Sequence, residues 1–390
     1  MNHINLKENI YWIGVKDPNL RVFDIIMRTE YGTTYNSYLI NDEKVAIIDA
    51  VKEGFFEEFM TNVKEIIGDK KVDYIISQHT ELDHSGTIAK LHEVYPDAKI
   101  IASKAGSVYL KDIINKDLDI MVIPEELNLG KTTLKFISAP NLHWPDTIFT
   151  YAKEQKMLFS CDFLGCHYCP KHDVVQGYEE EYEGEVEHYF KVIMAPFKKF
   201  VLSGLDKIKD LELDMVCTSH GPIHTGEDIS KSIETYRRLA STDAPKDKTA
   251  VVLYISAYGN TEIMARYIND KLNEKGIKSE LHEITTFGID ESISAIEGVK
   301  GVIFGSPTIN QDAVKPVWDV MSELSAITNR GKIASAFGSY GWSGEGVQLM
   351  MDRMRGLKLN VVDGFRFKFV PSEAEYKMAD EFVDRFISKF

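Results

Sequence analysis

The stretch His79-Thr80-Glu81-Leu82-Asp83-His84 closes an apolar run, Val72 to Ser77, and sets four metal-binding side chains within six residues. The run reads as a short strand buried on both faces, so the polar burst falls in a loop at its carboxyl end. Loops carried on a rigid scaffold are where chemistry usually sits. His79, Glu81 and Asp83 are two apart and on extended backbone would converge from one side, with His84 turned toward a neighbouring point. That layout suits two metal ions. Taken alone, the hexapeptide has a less favoured alternative, a polar surface loop of solvated histidines and helix-capping acids.

Three later positions argue against the plain reading. His143 follows a strand expected at Thr132 to Ala139, Asp162 one at Met157 to Ser160, and His220 one at Met215 to Thr218. A single histidine after a strand is usually structural; recurrence at four strand ends would place every candidate on one rim of a sheet. The surrounding pattern is mixed α/β, with helices expected at 54–67, 87–94 and 105–115 and strands at 99–102 and 119–123. Residues 163–187, rich in Gly, Tyr and Glu, show no period and read as a loop over the site. His167, His188 and His224 have no motif behind them and read as structural. Cys166-His167-Tyr168-Cys169 looks like half of a zinc or redox site, but no second cysteine pair completes it.

At 390 residues the chain is long for one core, and 44% apolar residues supply two. Lys plus Arg number 45 against 60 Asp plus Glu, a net charge of -15, which argues against a nucleic-acid surface. Four cysteines, no apolar leader at the amino terminus and no window of about 18 apolar residues point to a cytoplasmic protein without a membrane span.

The polar segment Ser241 to Lys248 marks a boundary, giving domains 1–245 and 246–390. Directly after it, the strand Ala250 to Ile255 runs through Ser256-Ala257-Tyr258-Gly259-Asn260-Thr261 into a helix reaching about Lys275. A helix amino terminus offers free N–H groups and a positive dipole end, and Ser256, Asn260 and Thr261 add short donors around a phosphate. A merely capped helix start would use the same residues. Two further loops follow strands in the same manner, Ser306-Pro307-Thr308-Ile309-Asn310 and Ser339-Tyr340-Gly341-Trp342-Ser343-Gly344. Together the three could cover a planar ring, with Trp342 or Tyr340 stacking on it.

The His-x-x-x-x-His loop with His143, Asp162 and His220 resembles the metallo-β-lactamase fold over about residues 1–240. Hydrolases of that superfamily usually carry His-x-His-x-Asp-His, whereas Glu81 puts an anionic oxygen where they have an imidazole. Three carboxylates beside four imidazoles make an oxygen-rich set that suits iron better than zinc. His-x-Glu-x-Asp-His is the pattern of the flavodiiron proteins, and the second half resembles flavodoxin, which implies bound FMN. The phosphate loop departs from many flavodoxins in having Ala257 where they carry a second hydroxyl.

The resemblance therefore implies a metallo-β-lactamase-like αββα sandwich followed by a flavodoxin-like, doubly wound, five-stranded parallel sheet. It implies His79, Glu81 and His143 on one iron, Asp83, His84 and His220 on the other, and Asp162 bridging. His172 and Tyr189 become candidate donors to a bound oxygen species, with a solvated histidine and a core tyrosine as the plain readings. The implied activity is reduction of dioxygen to water, nitric oxide to nitrous oxide, or both, in a head-to-tail homodimer or a dimer of such dimers. With no Cys-x-x-Cys after the flavodoxin half, electrons are expected from a separate donor such as rubredoxin. A flavin-bearing zinc hydrolase or nuclease, and an electron carrier with a purely structural first domain, stand as alternatives.

Overall fold

The computed structural model describes residues 3–175, 179–241 and 246–390. The chain divides into two compact units, Met1–Thr242 and Asp243–Phe390.

In the first unit, one sheet of seven strands runs in the order Ile4–Lys7, Ile10–Trp12, Tyr38–Asn41, Val45–Ile48, Tyr74–Ile76, Lys99–Ala102, Ile120–Val122. A second, of six, runs Glu126–Asn128, Thr133–Ser138, Ile148–Ala152, Met157–Cys161, Met215–Thr218, His224–Thr225. The sheets pack face to face through residues such as Trp12, Ile48, Ile76, Phe136, Phe159 and Cys217. Helices Phe56–Ile67, Ile88–Val94 and Lys104–Ile114 cover the outer face of the first sheet, and Tyr182–Tyr189, Lys198–Ile208 and Glu227–Ala240 that of the second. Four layers, helix on sheet on sheet on helix, follow from strands buried on both faces, as Val45–Ile48 and Met157–Cys161 are.

The second unit is a parallel sheet in the order Lys278–Glu283, Lys246–Tyr254, Val299–Gly305, Ile333–Tyr340, then Asn360–Val361, with Phe365–Lys368 also pairing in parallel with Ile333–Tyr340. The fifth strand position is thus shared by two short pieces. Between them lies Gly364, where a Cβ would stand 2.0 Å from the Ala336 carbonyl oxygen. Helices Asn260–Glu274 and Glu373–Ile387 pack on one face, and Ile289–Gly298, Lys315–Glu323 and Gly346–Gly356 on the other. Among the described residues no helix is long and apolar enough to cross a membrane.

Candidate metal centre and cofactor cradle

Strand Tyr74–Ile76 ends in a loop tied down by Asp49, whose Oδ1 accepts from the Gln78 amide (2.7 Å) and whose Oδ2 accepts from Gln78 Nε2 (3.1 Å). After Glu81 the chain does not continue extended. It turns into one helical turn, Leu82–Ser85, in which the His84 amide reaches the Glu81 carbonyl (3.0 Å). The turn directs Leu82 outward and buries Asp83 and His84. Side-chain alternation therefore explains His79 and Glu81 only, and helical geometry places the other two. Asp162 and His220 follow Met157–Cys161 and Met215–Thr218, which are parallel neighbours and so deliver both residues to the same rim. His143 comes from the loop between Thr133–Ser138 and Ile148–Ala152.

All seven side chains converge. Glu81 Oε2 stands 3.1 Å from His79 Nε2 and 3.2 Å from His143 Nε2. Asp83 Oδ2 stands 3.0 Å from His220 Nε2, and Asp83 Oδ1 3.4 Å from His84 Nε2. Asp162 lies between the trios: Oδ2 is 3.7 Å from both His79 Nε2 and His143 Nε2, while Oδ1 is 3.3 Å from His84 Nε2 and 3.4 Å from His220 Nε2. Each trio's ligand atoms lie within 4.8 Å of one another, close enough to hold an ion.

The electrostatics fit a cation. Both Asp83 oxygens, Asp162 Oδ1, His84 Nε2 and His220 Nε2 are buried without a hydrogen-bond partner. Unpaired buried polar atoms are costly, and a shared positive ion would satisfy all five. Burial opposes ionisation of Glu81, Asp83 and Asp162, yet the adjoining imidazoles hold all three well below the usual carboxylate range. His220 is oriented from behind by its Nδ1 contact to the Thr34 carbonyl (2.6 Å).

Phe23, His167, Tyr189 and Ile193 complete the walls. Tyr189 is thus a wall residue, its ring edge-on to His167 at 5.3 Å. His172 is not. It is exposed and absent from the lining, and the neighbouring buried histidine is His167, with Nδ1 2.9 Å from Thr33 Oγ1 and its ring 4.3 Å from that of His220. The flanking residues carry the signal that separates them: Cys166 and Tyr168 around His167 are apolar, whereas Lys171 and Asp173 around His172 are charged. Burial, and next to it His220, keep His167 neutral, its pKa well below 6.5. The expected loop over the site also changes character, since helix Tyr182–Tyr189 begins inside it; residues 176–178 fall outside the described ones. All four cysteines are buried and free, and neither Cys166 nor Cys169 joins a ligand cluster among the described residues.

In the second unit the three expected loops sit at the carboxyl ends of three adjacent parallel strands. Helix Asn260–Glu274 starts after Gly259, whose φ of 85° is the left-handed region and whose missing Cβ would meet nothing within 4 Å. That leaves open space at a helix amino terminus, where a phosphate would fit. Thr261 is buried and its Oγ1 lies 2.8 Å from Ser339 Oγ, tying the first loop to the third. Ser256 Oγ accepts from the Glu262 amide (3.2 Å), and Ala257 is exposed. Ser306 Oγ accepts from the Val314 amide (3.1 Å), after which Thr308–Ile309 pairs with Asp312–Ala313 around the left-handed Asn310. Strand Ile333–Tyr340 takes in Ser339 and Tyr340, the first two residues of the third expected loop, because Phe365–Lys368 pairs with that end. Beyond it Gly341 to Gly344 continue the loop, with Arg366 Nη1 donating to the Gly344 carbonyl (3.1 Å). Tyr258 is 93% and Trp342 89% exposed, two large aromatic faces available to a planar ring.

Seven converging candidate ligands on a four-layer sandwich, followed by an open helix amino terminus on a doubly wound sheet, define a two-domain class with a candidate metal centre and a candidate phosphate cradle. The family described as ODP family beta lactamase matches residues 33–221, and the flavodoxin family matches 252–382. The flavo-diiron protein FprA2 of Clostridium acetobutylicum is 44% identical over 398 residues, covering 99% of each chain. A nitric oxide reductase of Moorella thermoacetica is 32% identical over 370 residues, covering 92% of this chain and 91% of that one. Among solved structures, the rubredoxin oxygen:oxidoreductase of Desulfovibrio gigas superposes with a TM-score of 0.70 at 26% identity, over 100% of this chain and 99% of that one. The chain belongs to the flavo-diiron protein family. Membership implies FMN and a non-haem diiron centre.

Proposed function

We propose that the protein is a cytoplasmic oxidoreductase that reduces dioxygen to water, nitric oxide to nitrous oxide, or both, with electrons passing through FMN from an external donor such as rubredoxin. The observation that carries this reading is the pair of ligand trios facing the two oxygens of Asp162. When bound, two Fe(II) ions and reduced FMN supply the four electrons that complete reduction of one dioxygen consumes, and two of those suffice to join two molecules of nitric oxide as nitrous oxide and water. The gases and the donor are those in the names of the Moorella and Desulfovibrio relatives.

The chain's own residues divide the work. His79, Glu81 and His143 hold one ion, Asp83, His84 and His220 the other, and Asp162 both. Three carboxylates among seven ligands favour iron over zinc. Phe23 and Ile193 line the pocket with apolar surface and keep bulk water out. Burial pushes the Tyr189 phenol well up, so its Oη keeps its proton and would be a hydrogen-bond donor to a substrate in the pocket. In the second unit, the amide groups at the start of helix Asn260–Glu274 take the FMN phosphate, with Ser256, Tyr258, Asn260 and Thr261 around it. Residues 306–310 and 339–344 border the ring. The single phosphate cradle, without Gly-x-Gly-x-x-Gly, selects FMN over FAD or NAD.

Mixing the anaerobically reduced, iron-loaded protein with each gas in turn tests the reading. Consumption of at least one gas is expected, together with about two irons and one FMN per chain. Two zinc ions after growth in iron-replete medium, with hydrolase activity retained, would overturn it.

A further inference from the structure

Three residues beyond His143 the same loop buries a second carboxylate, Asp146, whose side chain has no accessible surface. Its oxygens lie 3.3 and 3.4 Å from His79 Nδ1, and Oδ2 also accepts from the Thr80 amide at 2.7 Å. His79 is just as deeply buried, with the Trp144 ring nearly perpendicular to it at a centroid separation of 5.0 Å, and its other nitrogen, Nε2, faces Glu81 and Asp162. A carboxylate removed from water is expensive unless paired. The partners of this one are the back of the candidate ligand His79 and the backbone between it and the next, Glu81. The corresponding nitrogen of His220 instead meets a neutral carbonyl, that of Thr34.

We propose that Asp146 is a positioning residue of the metal centre. Its carboxylate takes the Nδ1–H of His79, so that the lone pair sits on Nε2 and points at the metal, while the Thr80 contact fixes the backbone from which Glu81 returns. An anion behind an imidazole also makes it a stronger donor than a carbonyl does. Of His79 and His220, His79 is therefore the one whose donor strength an anion raises, and the ion it shares with Glu81 and His143 depends on Asp146 in a way that the ion at His220 does not. This inference rests on the diiron reading above.

Asp146→Asn separates positioning from packing. The asparagine keeps the shape, and its single oxygen can still accept from the Thr80 amide. The amide group then turns N–H toward His79 Nδ1, which calls for the tautomer with hydrogen on Nε2 and removes the lone pair from the metal side. Iron-loaded full-length protein is mixed anaerobically with excess ferrous chelator and release is followed by colour, beside thermal melting of the metal-free proteins. Release from Asp146→Asn is expected to be about 10- to 100-fold faster for one of the two irons, with the other close to wild type. The metal-free melting points are expected to agree within a few degrees. Asp146→Glu, which restores the anion, is expected to recover most of the retention. Equal release from wild type and Asp146→Asn would overturn the inference alone. So would equal losses in the Asn and Glu variants, or a metal-free melting point that falls along with retention, because each makes Asp146 a loop staple. Wild-type protein that holds no iron would sink the diiron reading, and this inference with it.

Discussion

In the first unit the candidate ligands sit almost wholly beneath the surface, with unpaired oxygen and nitrogen atoms aimed at shared points, whereas in the second unit Tyr258 and Trp342 stand open on loops. The difference follows from what each site must do. Ion ligands have to be fixed before the metal arrives and kept from bonding to water, which requires burial and anchors such as Thr34 and Asp49. A flavin supplies its own large apolar surface and must accept electrons from outside, so the protein need only cradle a phosphate and leave the ring edge reachable. Disruption should therefore be all-or-none in the first site and graded in the second.

The largest expected effect comes from Asp162→Ala. Among the described residues Asp162 is the one side chain whose two oxygens face different trios, so its removal should empty both positions, abolish turnover and bring iron well below one per chain by elemental analysis. Glu81→Ala, which touches only one trio, should cost less metal; if the two variants lose equal iron, the shared role of Asp162 is wrong. FMN content should be unchanged in both, which keeps the comparison clean.

Next in size is Gly259→Glu in the flavin cradle. The left-handed φ of 85° strains any side chain, and a carboxylate at the helix amino terminus repels phosphate. FMN affinity, read from quenching of flavin fluorescence, is expected to fall on the order of 100-fold, from the sum of about 1–2 kcal/mol of strain and a like-charge penalty of similar size. Iron content should stay at the wild-type value. A variant that binds FMN normally would place the phosphate elsewhere.

Much of both sites was legible because each element announces itself in its own period. Apolar strands followed by polar bursts located Asp162 and His220, and Lys99–Ala102 and Met215–Thr218 fall where the hydrophobic runs placed them. What stayed hidden depends on neighbours distant in sequence. The helical turn at Leu82–Ser85 has no apolar period of its own in four residues. Asp146 acquires meaning only when its loop folds against His79, 67 residues away. Helix Tyr182–Tyr189 packs Tyr182, Val186 and Tyr189 on the second sheet at helical spacing, but with three such positions in eight residues, and Gly184 among them, the stripe is too short to stand out from its polar surroundings. The extra length of Ile333–Tyr340 likewise comes from pairing with Phe365–Lys368.

A third prediction asks whether the two sites serve each other across subunits. We propose a head-to-tail homodimer in which FMN of one subunit reduces the metal centre of the other. Gly259→Glu and Asp162→Ala homodimers should each be inactive. In mixed dimers one intact cradle would face one intact metal site, so about half of wild-type activity per dimer should return. Transfer confined within one chain would restore none.

The smallest effect concerns acid. All but one of the 11 histidines lie in the first unit; the exception, His282, is only partly buried. His224 is fully buried, with its Nε2 2.8 Å from the Leu164 carbonyl, and burial pushes its pKa down to about 4 from 6.5. In the unfolded chain this group takes a proton near pH 6.5, and in the folded protein only near pH 4. The unfolded state therefore binds more protons between those values, and stability is lost as pH falls through the window. At pH 5.5 the linkage amounts to about 1–1.5 kcal/mol relative to pH 7.5. His224→Gln can still donate to the Leu164 carbonyl but does not titrate. In urea unfolding of the metal-free proteins, the wild type should lose about that much more stability than the variant on going from pH 7.5 to 5.5. The subtraction also cancels His79, whose pKa moves the other way: burial alone would depress it, but hydrogen bonds to Asp146 and Glu81 carry it up to about 10. Equal pH slopes in the two proteins would mean that His224 opens to water before the unit unfolds, and the contrast between a sealed first unit and an open flavin cradle would then fail at that rim.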